Sequence, residues 1–291
     1  MDCMKLINSI KAEIKKLLYP PFVCVSGISM LVLFFTGIAY TDPDLKEHMV
    51  AELIITNGIA EQLSNGSITF VDLINAPFGR WFSLFAPSML VLSFQLIISN
   101  ENKKGMIYPF LLREKPILYS ISKLVSLMLW GGTLVFCCYL IYNAVLFLLF
   151  FKYINLQPGI LLARLSFYNC NSIEIFLAKK MAASFFYGIS ICIPGYIAGV
   201  LLSDLYSLFC LPILITYVYE QLVGMISIKL IEKGHISEAN GLGCLFFNNL
   251  LNIKFDLEWF KTIFFITGLS VLFVFIENHI LKWKRRNAYE V

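Results

Sequence analysis

Six apolar runs, at 22–40, 81–99, 124–151, 181–203, 205–228 and 262–281, carry only two charged residues between them, Glu220 and Glu277. A helix needs about 20 consecutive apolar residues to cross the hydrocarbon core of a bilayer, and every run is close to that length or longer. Of the 291 residues, 58% are hydrophobic and 14% are charged, against roughly 45–50% and 25% in soluble domains. A water-soluble core could not hide so much apolar surface. The expected fold is an all-α polytopic membrane protein, a single transmembrane domain over 1–291 with six spans.

The segments between the runs give that frame its detail. Residues 1–19 place Leu6, Ile7, Ile10, Ile14, Leu17 and Leu18 at helical spacing, with Lys5, Lys11, Lys15 and Lys16 on the remaining arc. This predicts an amphipathic helix lying at an anionic membrane surface, ended by Pro20 and Pro21. The first run is 19 residues long and no small-x-small cleavage site follows it, so it is expected to stay attached as a spanning helix. The third run, at 28 residues, implies tilt or an extension past the bilayer. Ser203 and Asp204 leave room only for a tight hairpin between the fourth and fifth runs.

Basic residues set the orientation, because Lys and Arg beside short spans are retained in the cytoplasm. Lys5, Lys11, Lys15 and Lys16, then Lys103, Lys104, Arg113, Lys115 and Lys123, then Lys282, Lys284, Arg285 and Arg286 place both termini and the 100–122 connector inside. Lys179 and Lys180 fall on the other side. The outer segments, 41–80, 152–180 and 229–261, are too apolar for disordered linkers, and short re-entrant helices on the outer leaflet are expected. In the first, an amphipathic helix is predicted over 45–63, ended by Ser64, Asn65 and Gly66, with an apolar stretch over 68–78.

Several kinds of chemistry are missing from the sequence. No phosphate-binding G-x-x-x-x-G-K-[ST] loop, H-E-x-x-H helix or G-x-S-x-G elbow occurs, and His48, His235 and His279 lie in different segments. ATP dependence would have to come from a partner. His235 and Glu238 share a helical face, but two ligands do not make a metal site. A net charge of +4, spread in short clusters, gives no footprint for nucleic acid. Cys24, Cys137, Cys138, Cys192 and Cys210 lie in apolar runs, which leaves Cys170 and Cys244 as the outer pair able to form a disulfide.

Polar residues inside the runs are the candidates for function. A carboxylate at bilayer depth costs about 2.5 kcal/mol or more, so Glu220, followed by Gln221, should face a bundle interior or a wet cavity. It either lines a substrate path or protomer interface, or ties helices together through Gln95 or a tyrosine. Glu277 lies near Lys282 and Lys284, where an interfacial ion pair is expected. Gly195 and Gly199 have the small-x-x-x-small spacing of close helix packing, and Gly131, Gly132 and Pro194 point to close packing or a kink.

The connector at 100–122 carries a charged turn, then Met106, Ile107, Phe110 and Leu111 as a short apolar face, then a proline break. Taken alone it is either a docking element or an inert link. Its sequence of Glu101, Gly105, the apolar patch ending at Leu112, Pro116, Tyr119 and Lys123 resembles a pattern in permease subunits of type-2 ATP-binding-cassette exporters. Met106 stands where that pattern usually has threonine, and Tyr119 where it often has arginine. The six-span layout with an amphipathic N-terminal helix is similar too.

The resemblance implies a coupling helix formed by Glu101, Gly105, Met106, Phe110, Leu111, Pro116 and Tyr119, seated in a cleft of a separate cytoplasmic ATPase subunit. ATP and Mg would belong to that subunit, with no cofactor in this chain. A second permease protomer, identical or homologous, would complete a pathway lined by the first, second and fifth spans, in which Glu220, Gln221 and Gln95 are the candidate lining residues. The cargo implied is amphiphilic, such as an antimicrobial peptide, a lipid or a drug, moved across a bacterial cell membrane by alternating access. A scaffold or sensor subunit that anchors a partner is one alternative. A secondary transporter is another, although it would need more paired ionisable residues in its spans and an inverted repeat.

Overall fold

The computed structural model describes residues 2–18, 20–42, 46–56, 58–79, 82–90, 116–154, 157–201, 205–251, 253 and 255–287. Among them the chain is all-α apart from one short hairpin. It begins with α1 (Asp2–Leu17) and α2 (Pro20–Phe35), then β1 (Ile38–Thr41) paired antiparallel with β2 (Glu47–Met49). Three short helices follow, α3 (Val50–Ile55), α4 (Gly58–Asn65) and α5 (Phe70–Asn75), and residues 82–90 form α6. The rest is α7 (Pro116–Phe150), α8 (Pro158–Phe167), α9 (Ile173–Leu201), α10 (Leu205–Glu232), α11 (Ile236–Gly241) and α12 (Leu257–Asn287). Between α11 and α12 the chain makes two 3-10 turns, Leu242–Leu245 and Phe247–Leu251.

Among the described residues four helices, α7, α9, α10 and α12, are long and apolar enough to cross a membrane. All four outrun their uncharged sequence runs: α7 starts at Pro116 rather than 124, α9 at Ile173 rather than 181, and α12 at Leu257 rather than 262. The absence of charge marks the stretch suited to hydrocarbon, whereas a helix continues through charged residues, whether exposed like Glu174 or buried and partnered like Lys180. The first run departs the other way. Its helix stops at Phe35, and residues 38–40 are strand. The 16 residues of α2 rise about 24 Å, short of a core about 30 Å thick. The turn centres on Gly37, where a side chain would collide with the Ala76 carbonyl. Of the second run, 82–90 is helical, and 91–99, with Gln95, lies outside the described residues.

The hub is α7, which packs on α1, α2, α9 and α12. Its closest contact is with α9, where Gly131 and Gly132 meet Gly188 and Cys192. A Cβ on Gly188 would stand 2.6 Å from the Gly131 carbonyl oxygen, so this crossing tolerates no larger residue. The small residues that bring these helices together begin two turns before the Gly195 and Gly199 pair singled out by spacing.

The helix expected over 45–63 is broken. Glu47–Met49 pairs with β1, α3 ends at Thr56, and α4 restarts at Gly58. The Thr56-Asn57-Gly58 sequence is turn chemistry, and the strand takes up residues that helical periodicity had assigned to the first turns. Gly66, at φ +73°, ends α4 as expected. The apolar stretch over 68–78 forms α5, started by a reciprocal cap in which the Thr69 amide donates to the Asp72 carboxylate at 2.9 Å. Cys170 and Cys244 are both unpaired thiols, so the disulfide between them is not formed.

Candidate functional site

Two polar clusters tie short elements to the long helices, one at each end of the bundle. At the end where α7 begins, Glu101, Gly105, Met106, Phe110 and Leu111 lie outside the described residues. Pro116 and Tyr119 open α7, and both are buried within the chain. Tyr119, 3% exposed, packs with Leu281 of α12, and the Lys123 ammonium lies 4.4 Å from its ring centre. The Tyr196 hydroxyl of α9 lies against the Ser120 carbonyl and donates to Glu277, which is itself buried. The first turns of α7 are thereby joined to α9 and α12.

Helix α1 is fastened to the same turns. Ser9 Oγ donates to Ser122 Oγ at 3.1 Å, and Ser126 Oγ lies 3.3 Å from the Ile10 carbonyl oxygen. Leu17 and Glu13 are buried on this face, with Glu13 held by Lys16 at 2.8 Å. Ile7 and Leu18 remain exposed with Lys11 and Lys15. The apolar arc read from the sequence is therefore divided, part packing on α7 and part facing outward.

At the opposite end, the carbonyls closing the short elements are met by side chains from long helices. Tyr139 and Tyr142 of α7 donate to the carbonyls of Ile74 and Leu73 at the end of α5, at 2.9 and 2.8 Å. Lys180 of α9 donates to the Leu251 carbonyl at 3.0 Å, and Trp259 Nε1 of α12 to that of Leu250 at 3.1 Å. Phe34, Phe78, Phe82 and Tyr139 interlock beneath α5. The last carbonyls of a helix have no partner within it, and leaving them bare in an apolar setting is costly. Neither these tyrosines nor Lys180 was evident as a site in the sequence. The available signal was a tyrosine hydroxyl buried in an apolar run, which must find a partner.

The candidate path residues are separated. Glu220 is half-buried on α10 and accepts from Asn248 Nδ2 at 3.4 Å, Gln221 is exposed, and Gln95 is outside the described residues. Glu220 thus faces the 3-10 turns, to which Tyr219 is also bound through the Leu245 carbonyl at 2.8 Å. Tyr187 of α9 interacts electrostatically with Glu220, and its buried hydroxyl has no hydrogen-bond partner among the described residues. The 3-10 turns thus supply one partner for Glu220, while Gln95, expected in that role, lies outside the described residues.

Outside the long helices, a cavity of about 470 Å³ is lined by Tyr40, Asp42, Gln62, Asp72 and Arg164. His48 bridges Asp42 at 2.7 Å and Glu52 at 3.7 Å beneath the stacked Tyr40 ring. Burial, then the Asp72 charge, pushes the Tyr168 phenol above its ordinary value, while Arg164 pulls it back. His235 and Glu238 approach to 3.3 Å, both exposed. No three His, Cys, Asp or Glu converge among the described residues.

Fold and site define an all-α protein whose long apolar helices are compatible with residence in a membrane. No family model, curated protein or solved structure matches the chain.

Proposed function

We propose that this chain is the membrane permease subunit of an ATP-driven exporter. It moves an amphiphilic cargo, a peptide, lipid or drug, by alternating access powered by a separate cytoplasmic ATPase subunit. The observation that carries the reading is the fastening of α1 to the first turns of α7 through Ser9, Ser122, Ser126 and Ile10. A surface helix bound to the span that follows the 100–115 connector is what a transmission element requires. It would convert a displacement of the connector into movement of α7, α9 and α12 as bodies.

In this reading α2 and the stretch through 82–99 join the four long helices to give six spans, with both termini in the cytoplasm of a bacterial cell. Lys180, which counts against that orientation as a flanking charge, is 7% exposed and bound to a carbonyl, so it serves the outer cap. Glu101, Gly105, Met106, Phe110 and Leu111 form the part of the coupling helix that meets the ATPase, with ATP and Mg held there. Pro116 and Tyr119 anchor its base to the bundle. A second permease protomer, a further copy or a homologue, completes the pathway, with Glu220 and Gln221 of α10 and Gln95 on its lining.

The test is to purify the tagged chain from its native membrane and identify what accompanies it. An ATPase with a phosphate-binding loop, at one copy per permease, is expected. Glu101→Lys or Gly105→Trp should abolish cargo-stimulated ATP hydrolysis while insertion stays normal. Unchanged coupling in both variants would overturn the reading.

A further inference from the structure

A groove of about 520 Å³ runs between α7, α9 and α12. Ile117, Ile121, Leu124, Val125 and Met128 form one wall, and α12 forms the facing wall from Ile263 to Phe275. At 1.5 Å per residue the two lined stretches are each about 17–18 Å long, and because Tyr119 packs with Leu281 they overlap only in part, so the groove runs along the helices.

Three hydroxyls lie in the lining, and each is turned back onto its own helix. Ser190 donates to the Phe186 carbonyl, Thr267 to that of Ile263 and Ser270 to that of Ile266, all at 2.8 Å. The interior therefore presents apolar surface without an available donor, which suits a hydrocarbon chain and rejects a polar headgroup. Val271 and Phe275, 50% and 60% exposed, form its rim.

Charge is concentrated at one end. Beyond Phe275 the last turns of α12 carry Lys282, Lys284, Arg285 and Arg286 in sequence. Helix α1, with Lys11 and Lys15 exposed, packs on Ser122 and Ser126 of the same stretch of α7. An apolar slot with Lys282 past its end complements a molecule with one long chain and an anionic head.

We infer that this groove holds one acyl chain of an anionic membrane phospholipid, whose phosphate is held by Lys282, which follows Val271 and Phe275 on the same face of α12. Lipid tails are as apolar as the helices, so burial alone does not retain the molecule. Specificity comes from the headgroup charge and from the fit of the chain. The inference requires only that α7, α9 and α12 lie in a bilayer and is independent of the exporter reading.

The experiment uses the full chain in nanodiscs made of phosphatidylglycerol or of phosphatidylcholine, released into mild detergent and weighed by native mass spectrometry. One retained phosphatidylglycerol per chain is expected, with phosphatidylcholine retained at least about fivefold less, and the preference should fall by about fivefold for Lys282→Gln. Val271→Trp, which fills the groove, should abolish retention. Leu272→Trp, one residue away and not in the lining, should leave it unchanged. A photoreactive phenylalanine analogue at Val271 should form an adduct of lipid mass. Equal retention of the two lipids, retention that survives Val271→Trp, or an adduct with a second copy of the chain would each overturn the inference.

Discussion

Helices α9 and α10 follow one another in sequence, are 29 and 28 residues long, and each contains a proline, Pro194 and Pro212. Their apolar stretches are equally hydrophobic, with mean hydropathies of 1.5 and 1.6. Yet 67% of that stretch is buried in α9 and 17% in α10. Hydropathy places a helix in lipid but does not decide whether it sits at the centre or the edge of a bundle. Close approach does: on α9 the small residues Ala183, Ser184, Gly188 and Cys192, set among the buried Tyr187, Ile191 and Tyr196, bring its neighbours near, whereas α10 turns Leu214, Tyr217, Val218, Leu222 and Met225 outward. Where lipid competes equally for apolar surface, close backbone approach through small residues separates core from rim. Under the exporter reading, the outward face of α10 is the one left for a second protomer.

The widest gap between the two helices should appear at their glycines. Gly188→Leu forces a side chain into the α7 backbone and should cost about 3 kcal/mol or more, enough to deplete folded protein. Gly224→Leu meets open space and should be neutral or stabilising by about 0.5 kcal/mol through helix propensity. Thermal unfolding of both variants in one detergent measures the difference, and equal losses would break the comparison.

Both helices also hold the 3-10 turns at 242–251, so each can be probed through a carbonyl it satisfies. Lys180→Ala removes the partner of the Leu251 carbonyl and leaves a cavity beside Phe78, at an expected cost of about 2 kcal/mol. Lys180→Met should recover the packing share. Tyr219→Phe on α10 removes a hydrogen bond that is only partly buried and should cost about 1 kcal/mol. Chemical unfolding monitored by tryptophan fluorescence ranks the three, since Trp259 sits against these turns. A Tyr219→Phe loss larger than that of Lys180→Ala would show that α10, not α9, anchors the segment.

The long helices were legible because a bilayer imposes a length on apolar runs, and α7, α9, α10 and α12 answer to it. The hairpin at 38–49 was not, although Asp42-Pro43-Asp44 is turn chemistry, because Leu45 to Leu63 carries a helical period strong enough to mask it. The candidate site divided in the same way. Glu220 stood out as a charge in an apolar run, but its partner Asn248 lies 28 residues away in a turn whose path no local pattern reveals. Lys180 was visible only as an anomaly of topology. Its burial against Leu251 is a tertiary contact between segments 71 residues apart, and nothing in the neighbouring sequence encodes that distance.

The smallest expected effect on stability sharpens the comparison most. In Glu220→Gln the amide oxygen can still accept from Asn248, and the bond is long, at 3.4 Å, and exposed. Unfolding should therefore shift by less than about 0.5 kcal/mol. Under the exporter reading, were Glu220 only a tie between α10 and the turns, transport would be untouched as well, since the tie survives the change. Should the carboxylate instead line a path used by cationic amphiphiles, removing its charge must lower transport while abundance and melting stay constant. The informative result is that pair of measurements on one sample. A fall in transport at constant stability marks α10 as a working surface, and no change in either leaves it an edge helix whose polar residues secure the turns at 242–251.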